Sequence, residues 1–271
     1  MKKTRILTGL VLAVSAFLLT ACGSSTKEDT SVKDIQKKGT ITVAMNPEFA
    51  PFEFKTLVNG KDTIVGSDVE LAKAIGKELG VKVKFSSMSF NNVLASLQSG
   101  KADIAISGIS ATEERQKVYD FSTSYYESKN VVIVKKDKLA DYTKTTSLKD
   151  KSVATQKGTI QENIAKDQLK GAKVVSLVQN GEMINELKNG QVDAVVFEKP
   201  IAQAYVDKNS DLAISEIDLK SGDSDAYAVA MPKGSKALKA KIDKVITKLK
   251  KDGTLDKQVQ EAYDLSVSSA D

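Results

Sequence analysis

One ten-residue pattern occurs twice in this chain and limits what it can fold into. Leu97-Gln98-Ser99-Gly100-Lys101-Ala102-Asp103-Ile104-Ala105-Ile106 is echoed by Leu187-Lys188-Asn189-Gly190-Gln191-Val192-Asp193-Ala194-Val195-Val196. Each copy reads as a helix end, a glycine that stops the helix, and an aspartate opening an apolar strand. A supersecondary unit used twice implies two lobes of similar construction. The first copy runs into Ser107-Gly108 and the second into Phe197-Glu198. In open α/β sheets ligands sit beyond the carboxyl ends of strands, so these two ends are expected to face each other across a cleft.

The stretches around the two copies alternate in period. Thr40 to Met45, Val81 to Phe85, Asp103 to Ile106, Val131 to Val134, Ser152 to Thr155, Lys173 to Leu177 and Asp193 to Phe197 read as strands. Helical patterns lie between them, among them Val69 to Gly80, with Leu71, Ala72, Ile75 and Leu79 on one face, and Asn91 to Gln98. Such alternation predicts an α/β fold with mostly parallel sheets and helices on their faces.

After the first copy the chain turns at Ser107-Gly108-Ile109-Ser110. Ser110 and Glu113 read as a capping box, and small residues followed by a helix start suit an anion. Arg115 follows directly. Apart from Arg5 it is the only arginine in a chain with 40 Lys+Arg. A planar guanidinium beside an anion-friendly turn points to bidentate capture of a carboxylate. Glu198, across the expected cleft, would place a negative charge opposite it. Such a pair suits a zwitterion, although Glu198 before Lys199-Pro200 also reads as a helix-capping acid.

Lys2, Lys3 and Arg5 precede an apolar run from Ile6 to Leu19, the layout of a secretory signal over residues 1–21. The run ends in Leu19-Thr20-Ala21-Cys22, which resembles the lipobox of bacterial lipoproteins. That motif implies removal of the signal and a lipid on Cys22, anchoring the protein to the outer face of the cytoplasmic membrane. Residues 22–37 read as the lipidated cysteine and a linker, with Gly23 to Val32 polar and without apolar period. Cys22 is the only cysteine, so the chain forms no internal disulfide, and lipidation removes its one thiol. With no histidine either, His-based metal sites and Ser-His-Asp triads are excluded. Formal charge is +5; loss of Lys2, Lys3 and Arg5 subtracts three and leaves +2. Lysines dispersed singly along the sequence give no nucleic-acid patch.

Several further stretches carry a resemblance to a known family. Asn46-Pro47-Glu48-Phe49-Ala50-Pro51-Phe52-Glu53-Phe54, Gly66-Ser67-Asp68-Val69-Glu70-Leu71-Ala72, Ser107 to Arg115, Tyr119-Asp120-Phe121-Ser122 and Lys251-Asp252-Gly253-Thr254-Leu255 resemble, in order, signature stretches of the polar amino-acid substrate-binding proteins of ABC importers. The resemblance implies a two-lobed periplasmic-binding-protein-like type II fold with two hinge crossings, near Tyr125 to Val131 and Asp223 to Ala228. Lobe 1 would comprise residues 38–126 and 229–265, lobe 2 residues 131–222, and 266–271 a tail. It implies binding without chemistry or cofactor, and delivery by a monomer to a membrane permease powered by a separate ATPase.

The resemblance also assigns residues. Arg115 would hold the ligand's α-carboxylate, supported by the Ser110 backbone N–H and by the helix start at Thr159 and Ile160. Glu198 would take the α-ammonium with Ser107 or the Gly108 carbonyl. Phe49 and Phe90 would sandwich the side chain, their alternative being ordinary core aromatics. Asn46 stands where an aspartate often reaches a basic side chain, and Gln156 is a second neutral polar group. Together they favour glutamine or asparagine as ligand. Glu48, Glu53 or Glu127 at the rim would instead admit arginine or lysine, and Asp68 and Glu70 read as first-turn acids of their helix. A dehydratase-like enzyme and a sensory or adhesive lipoprotein remain alternatives on the same fold.

Overall fold

The computed structural model describes residues 29–220, 222 and 226–268. The signal segment, Cys22, the linker up to residue 28, Asp223 to Asp225 of the second expected hinge and residues 269–271 lie outside them. Among the described residues the first element is α1 (Ser31–Lys38), where the sequence reads as linker. Ile35 anchors this helix in the core, and Gly39, in left-handed geometry, closes it by donating to the Ile35 and Gln36 carbonyls. Val32 packs against the same core, so the segment is an amphipathic helix whose apolar residues are too few to register as periodic.

Next come β1 (Thr40–Met45), the antiparallel ribbon β2 (Glu48–Phe49), β3 (Glu53–Val58) and β4 (Lys61–Val65), then α2 (Ser67–Leu79) and β5 (Lys82–Ser87). α3 (Phe90–Gln98), β6 (Ile104–Ala105), α4 (Glu113–Val118) and β7 (Tyr119–Phe121) finish the first pass. The chain then crosses through β8 (Tyr126–Glu127) into a second sheet. Its elements are β9 (Asn130–Lys135), β10 (Ser152–Gln156), α5 (Ile160–Gln168), β11 (Lys173–Leu177), α6 (Asn180–Lys188), β12 (Ala194–Glu198), α7 (Lys199–Lys208) and β13 (Leu212–Ile214). It returns through β14 (Ala226–Tyr227), which pairs antiparallel with β8, to β15 (Ala230–Pro232), α8 (Lys236–Lys251) and α9 (Thr254–Ser268). α9 thus runs through part of the expected tail. Ser266 is fully buried, with its hydroxyl donating to the Tyr263 carbonyl, which ties down that last turn.

Each lobe is built on one five-stranded sheet, in the orders β5-β1-β6-β15-β7 and β11-β10-β12-β9-β13. The sheets are mixed rather than mostly parallel. β5, β1 and β6 run parallel, as do β11, β10 and β12, whereas β15 and β9, which the crossings deliver, lie antiparallel to their neighbours. A strand entering from the other lobe arrives at the opposite end of the sheet, and periodicity cannot report that. Both faces of the central strands are covered. In β12, Ala194 and Val196 pack on one side while Val195 and Phe197 pack on the other, each no more than 3% exposed. That two-sided burial explains why β12 reads as a continuous apolar run.

Candidate functional site

The carboxyl end of β6 leads into the turn at Ser107-Gly108. Gly108 has φ +53°, and a Cβ there would lie 2.4 Å from the Phe49 ring. Only glycine lets that ring lie against the backbone. Two turns of chain later, Thr112, not Ser110, caps α4: its hydroxyl accepts from the Arg115 N–H at 3.2 Å. Ser110 instead forms a β-bridge with Tyr227. The bridge keeps the backbone extended at Ser110, so the helix starts two residues later than a cap at Ser110 would set it.

The Arg115 guanidinium lies over the Phe90 ring, 5.8 Å from Cζ to centroid. Nη1 donates to the Ser110 carbonyl at 2.9 Å and Nη2 reaches Gly158 of the other lobe at 3.1 Å. Burial works against its charge and pulls its pKa down, while the field of Glu198 is the largest influence in its favour.

The facing wall belongs to lobe 2. Gly158, at φ +83°, turns the chain from β10 into α5, and Thr159 ties that turn by donating its hydroxyl to the Gln156 carbonyl at 2.7 Å. Glu198 ends β12 and occupies the N-cap position of α7; it is 6% exposed. Phe49, Phe90, Gly108, Ser110 and Arg115 from one lobe meet Gln156, Thr159, Ile160 and Glu198 from the other around one small cavity. Gln161, Val196 and Phe197 also line it and were not anticipated. Gln161 donates to the Asn130 side chain at 2.6 Å, so a neutral amide pair stiffens that wall. Its place in the first turn of α5, two residues after Thr159, was the available signal.

Asn46 and Ser107 stand behind the lining. The Asn46 amide donates to the Met88 carbonyl at 3.2 Å, and its oxygen accepts from Gln156 Nε2 across the lobes at 3.0 Å. Ser107 Oγ accepts the Asn46 N–H at 3.0 Å and donates to Glu53 at 2.5 Å. Glu53 is therefore not a rim acid; it is fully buried. Asp68 and Glu70 do lie in the first turn of α2, but Asp68 is only 1% exposed and its carboxylate also accepts from the Tyr125 hydroxyl at 2.8 Å and the Gly108 N–H at 3.4 Å. Glu53 and Asp68 interact directly, and each has one oxygen, Oε2 and Oδ1, without another partner. Burial and the neighbouring charge of Asp68 push the Glu53 pKa well up, and burial raises that of Asp68 to about 6. Each acid therefore holds its proton more readily than an exposed carboxyl does.

Glu48 also acts across the cleft. Its Oε2 accepts the Asn180 N–H at 3.0 Å, and the Asn180 side chain donates to the Glu48 carbonyl at 3.1 Å. A lobe 1 carboxylate thus meets the first N–H of α6 in lobe 2. Glu127 lies on the crossing strand β8. Among the described residues no group of three or more acids or cysteines could hold a metal.

The geometry is that of a polar vice, and comparisons with known proteins agree. The family model of bacterial extracellular solute-binding proteins, family 3, matches residues 41–263. The arginine-binding extracellular protein ArtP of Bacillus subtilis is 35% identical, covering 95% of this chain and 96% of its own. A probable histidine-binding protein of Campylobacter jejuni is 30% identical over 96% of this chain and 99% of its own. The crystal structure of AbpA from Streptococcus pneumoniae, an amino-acid ABC transporter substrate-binding protein bound to L-arginine, is 55% identical with a TM-score of 0.84. It covers 87% of this chain and 99% of its own. The ligands named for these three proteins are arginine or histidine, which gives no support to the expected preference for glutamine or asparagine.

Proposed function

The chain belongs to the bacterial extracellular solute-binding proteins of family 3 and is an extracytoplasmic amino-acid-binding component of an ABC transporter, not an enzyme, and from that premise we propose that its ligand is arginine. The observation that carries this reading is an excess of buried negative charge. Three buried carboxylates, Glu198 in the cavity wall and the Glu53–Asp68 pair one layer behind it, stand against the single cation of the wall, Arg115, so acid outweighs base there. A neutral zwitterion leaves that excess buried and uncompensated, whereas a cationic amino acid cancels it. Asn46 no longer argues for a neutral ligand, because both ends of its amide are engaged within the protein.

In this reading Arg115, the Ser110 N–H and the start of α5 at Thr159 and Ile160 hold the α-carboxylate, and Glu198 takes the α-ammonium. Phe49 and Phe90 flank the side chain, their π faces favouring a cation. Ser107 and Asn46 support the wall from behind. The lobes swing about the β8–β14 pair, and the closed monomer docks on a permease driven by a separate ATPase. Cys22 carries the lipid that holds the protein at the outer face of the membrane; incorporation of labelled palmitate, lost in Cys22→Ser, tests the anchor.

Calorimetric titration against the standard amino acids tests the ligand. The protein is the chain from residue 22 with Cys22→Ser, unfolded and refolded to strip carried-over ligand. Arginine is expected to bind at least about 100-fold tighter than glutamine or asparagine. A neutral amino acid binding as tightly as arginine overturns the proposal.

A further inference from the structure

The lysines read as dispersed singly are in fact concentrated in one stretch, the helix α8. Seven of its 16 residues are lysine, and Lys241, Lys244, Lys248 and Lys251 form one exposed stripe at helical spacing. The opposite face, with Leu238, Ile242, Val245 and Ile246, is buried in lobe 1. Acids offset only part of this charge. Glu78 of α2 pairs with both Lys241 and Lys244, at 3.4 and 2.9 Å, Asp243 pairs with Lys239, and Asp29 and Asp252 sit at the two ends.

The position of the chain's N-terminal stretch adds an independent observation. Asp29, where the described residues begin, accepts the Ala237 N–H at 2.5 Å in the first turn of α8. From Cys22 to Asp29 the chain can reach at most roughly 25 Å. An acyl group on Cys22 therefore holds the start of α8 within roughly 25 Å of the bilayer, a leash short enough to let the lysine face settle within a Debye length, about 8 Å, of an anionic surface.

We propose that the lysine face of α8 rests on the anionic lipid surface, fixing which side of the tethered protein faces the membrane. The occupant follows from the tether, and in that respect the proposal builds on the Cys22 anchor. Its test does not need the anchor. The chain from residue 22 with Cys22→Ser is sedimented with vesicles of phosphatidylglycerol and phosphatidylcholine, and with phosphatidylcholine alone. It is expected to bind only the anionic vesicles and to be released by salt. Changing Lys241, Lys244, Lys248 and Lys251 to Gln is expected to weaken partitioning by about fivefold per lysine at low salt. The same change at the exposed lobe 2 lysines Lys136, Lys138, Lys144 and Lys170 is expected to leave it within about twofold. Unchanged calorimetric binding of the amino acid by the α8 variant verifies its fold. Equal sedimentation with both vesicle types, an α8 variant that partitions normally, or retention by soluble polyphosphate but not by vesicles would each overturn the proposal. Loss of palmitate labelling with vesicle binding intact would fault the anchor alone.

Discussion

The strands β6 and β12 begin alike and end differently. Asp103, before β6, accepts the Thr42 N–H at 2.7 Å while its own N–H donates to the Thr42 carbonyl at 2.9 Å. Asp193, before β12, accepts the Ser152 N–H at 2.9 Å and donates its N–H to the Ser152 carbonyl at 2.8 Å. At these amino ends each aspartate pins the start of its strand to the neighbouring one. At the carboxyl ends the likeness stops. β6 runs into a glycine turn backed by the buried Glu53–Asp68 pair, while β12 carries Glu198 itself into the cavity wall. Scaffold and ligand chemistry thus occupy opposite ends of the same strands, and one end can be rebuilt without the other.

That separation predicts a gradient of effects on binding. Arg115→Ala should weaken ligand binding about a thousandfold, because it leaves a buried carboxylate unpaired; calorimetry on the refolded protein reads this, and a loss below tenfold would put the carboxylate site elsewhere. Glu198→Gln should cost about a hundredfold, with binding of the deaminated ligand analogue less affected than that of arginine. The buried pair adds a pH dependence. As pH falls through about 6, Asp68 becomes protonated, and arginine affinity should drop roughly tenfold between neutral pH and pH 5. The sign for folding is opposite. An acid whose pKa is raised in the folded state binds its proton more readily there than in the unfolded chain, so this group's contribution to stability rises over the same interval. In Asp68→Asn the fall in affinity should flatten, and titrations across that pH range in buffers of different ionisation enthalpy should cease to report proton release. Smallest of all for binding are the aspartates at the amino ends. Asp103→Asn and Asp193→Asn should each lower unfolding stability by about 1–2 kcal/mol and leave affinity within about twofold. A large affinity loss from either would break the division between the two ends.

What the sequence made legible follows the same division. The central strands, the glycine stops and the aspartates were readable because local period and turn chemistry determine them, and both lobes share them. Arg115 was readable as the single arginine of the fold. Less legible was anything decided by distant packing. Thr112 displaced Ser110 as a cap because Tyr227, more than a hundred residues away, claims Ser110 as a bridge partner. Glu53 looked like a surface acid until its strand placed it beneath Ser107, and Asp68, rightly read as a helix-start acid, gave no sign that Tyr125 and Gly108 would also reach it. The preference for a neutral ligand was read from Asn46 alone. The charge that bears on ligand choice lies one layer behind the wall, on residues 15 positions apart in the chain whose encounter no local pattern announces.

The crossing strands have a consequence for use as well as for transport. β8 and β14 contribute only Tyr126–Glu127 and Ala226–Tyr227 to a ladder of their own, so neither five-stranded sheet need surrender a hydrogen bond when the lobes part. Occupancy can then be converted into distance at small energetic cost. Dyes attached to Lys101 on one lobe and Lys170 on the other, both exposed, would turn that distance into an optical signal. With Cys22 replaced, the fold offers no native thiol to compete with engineered labelling sites, which makes this chain a ready frame for a reagentless amino-acid sensor.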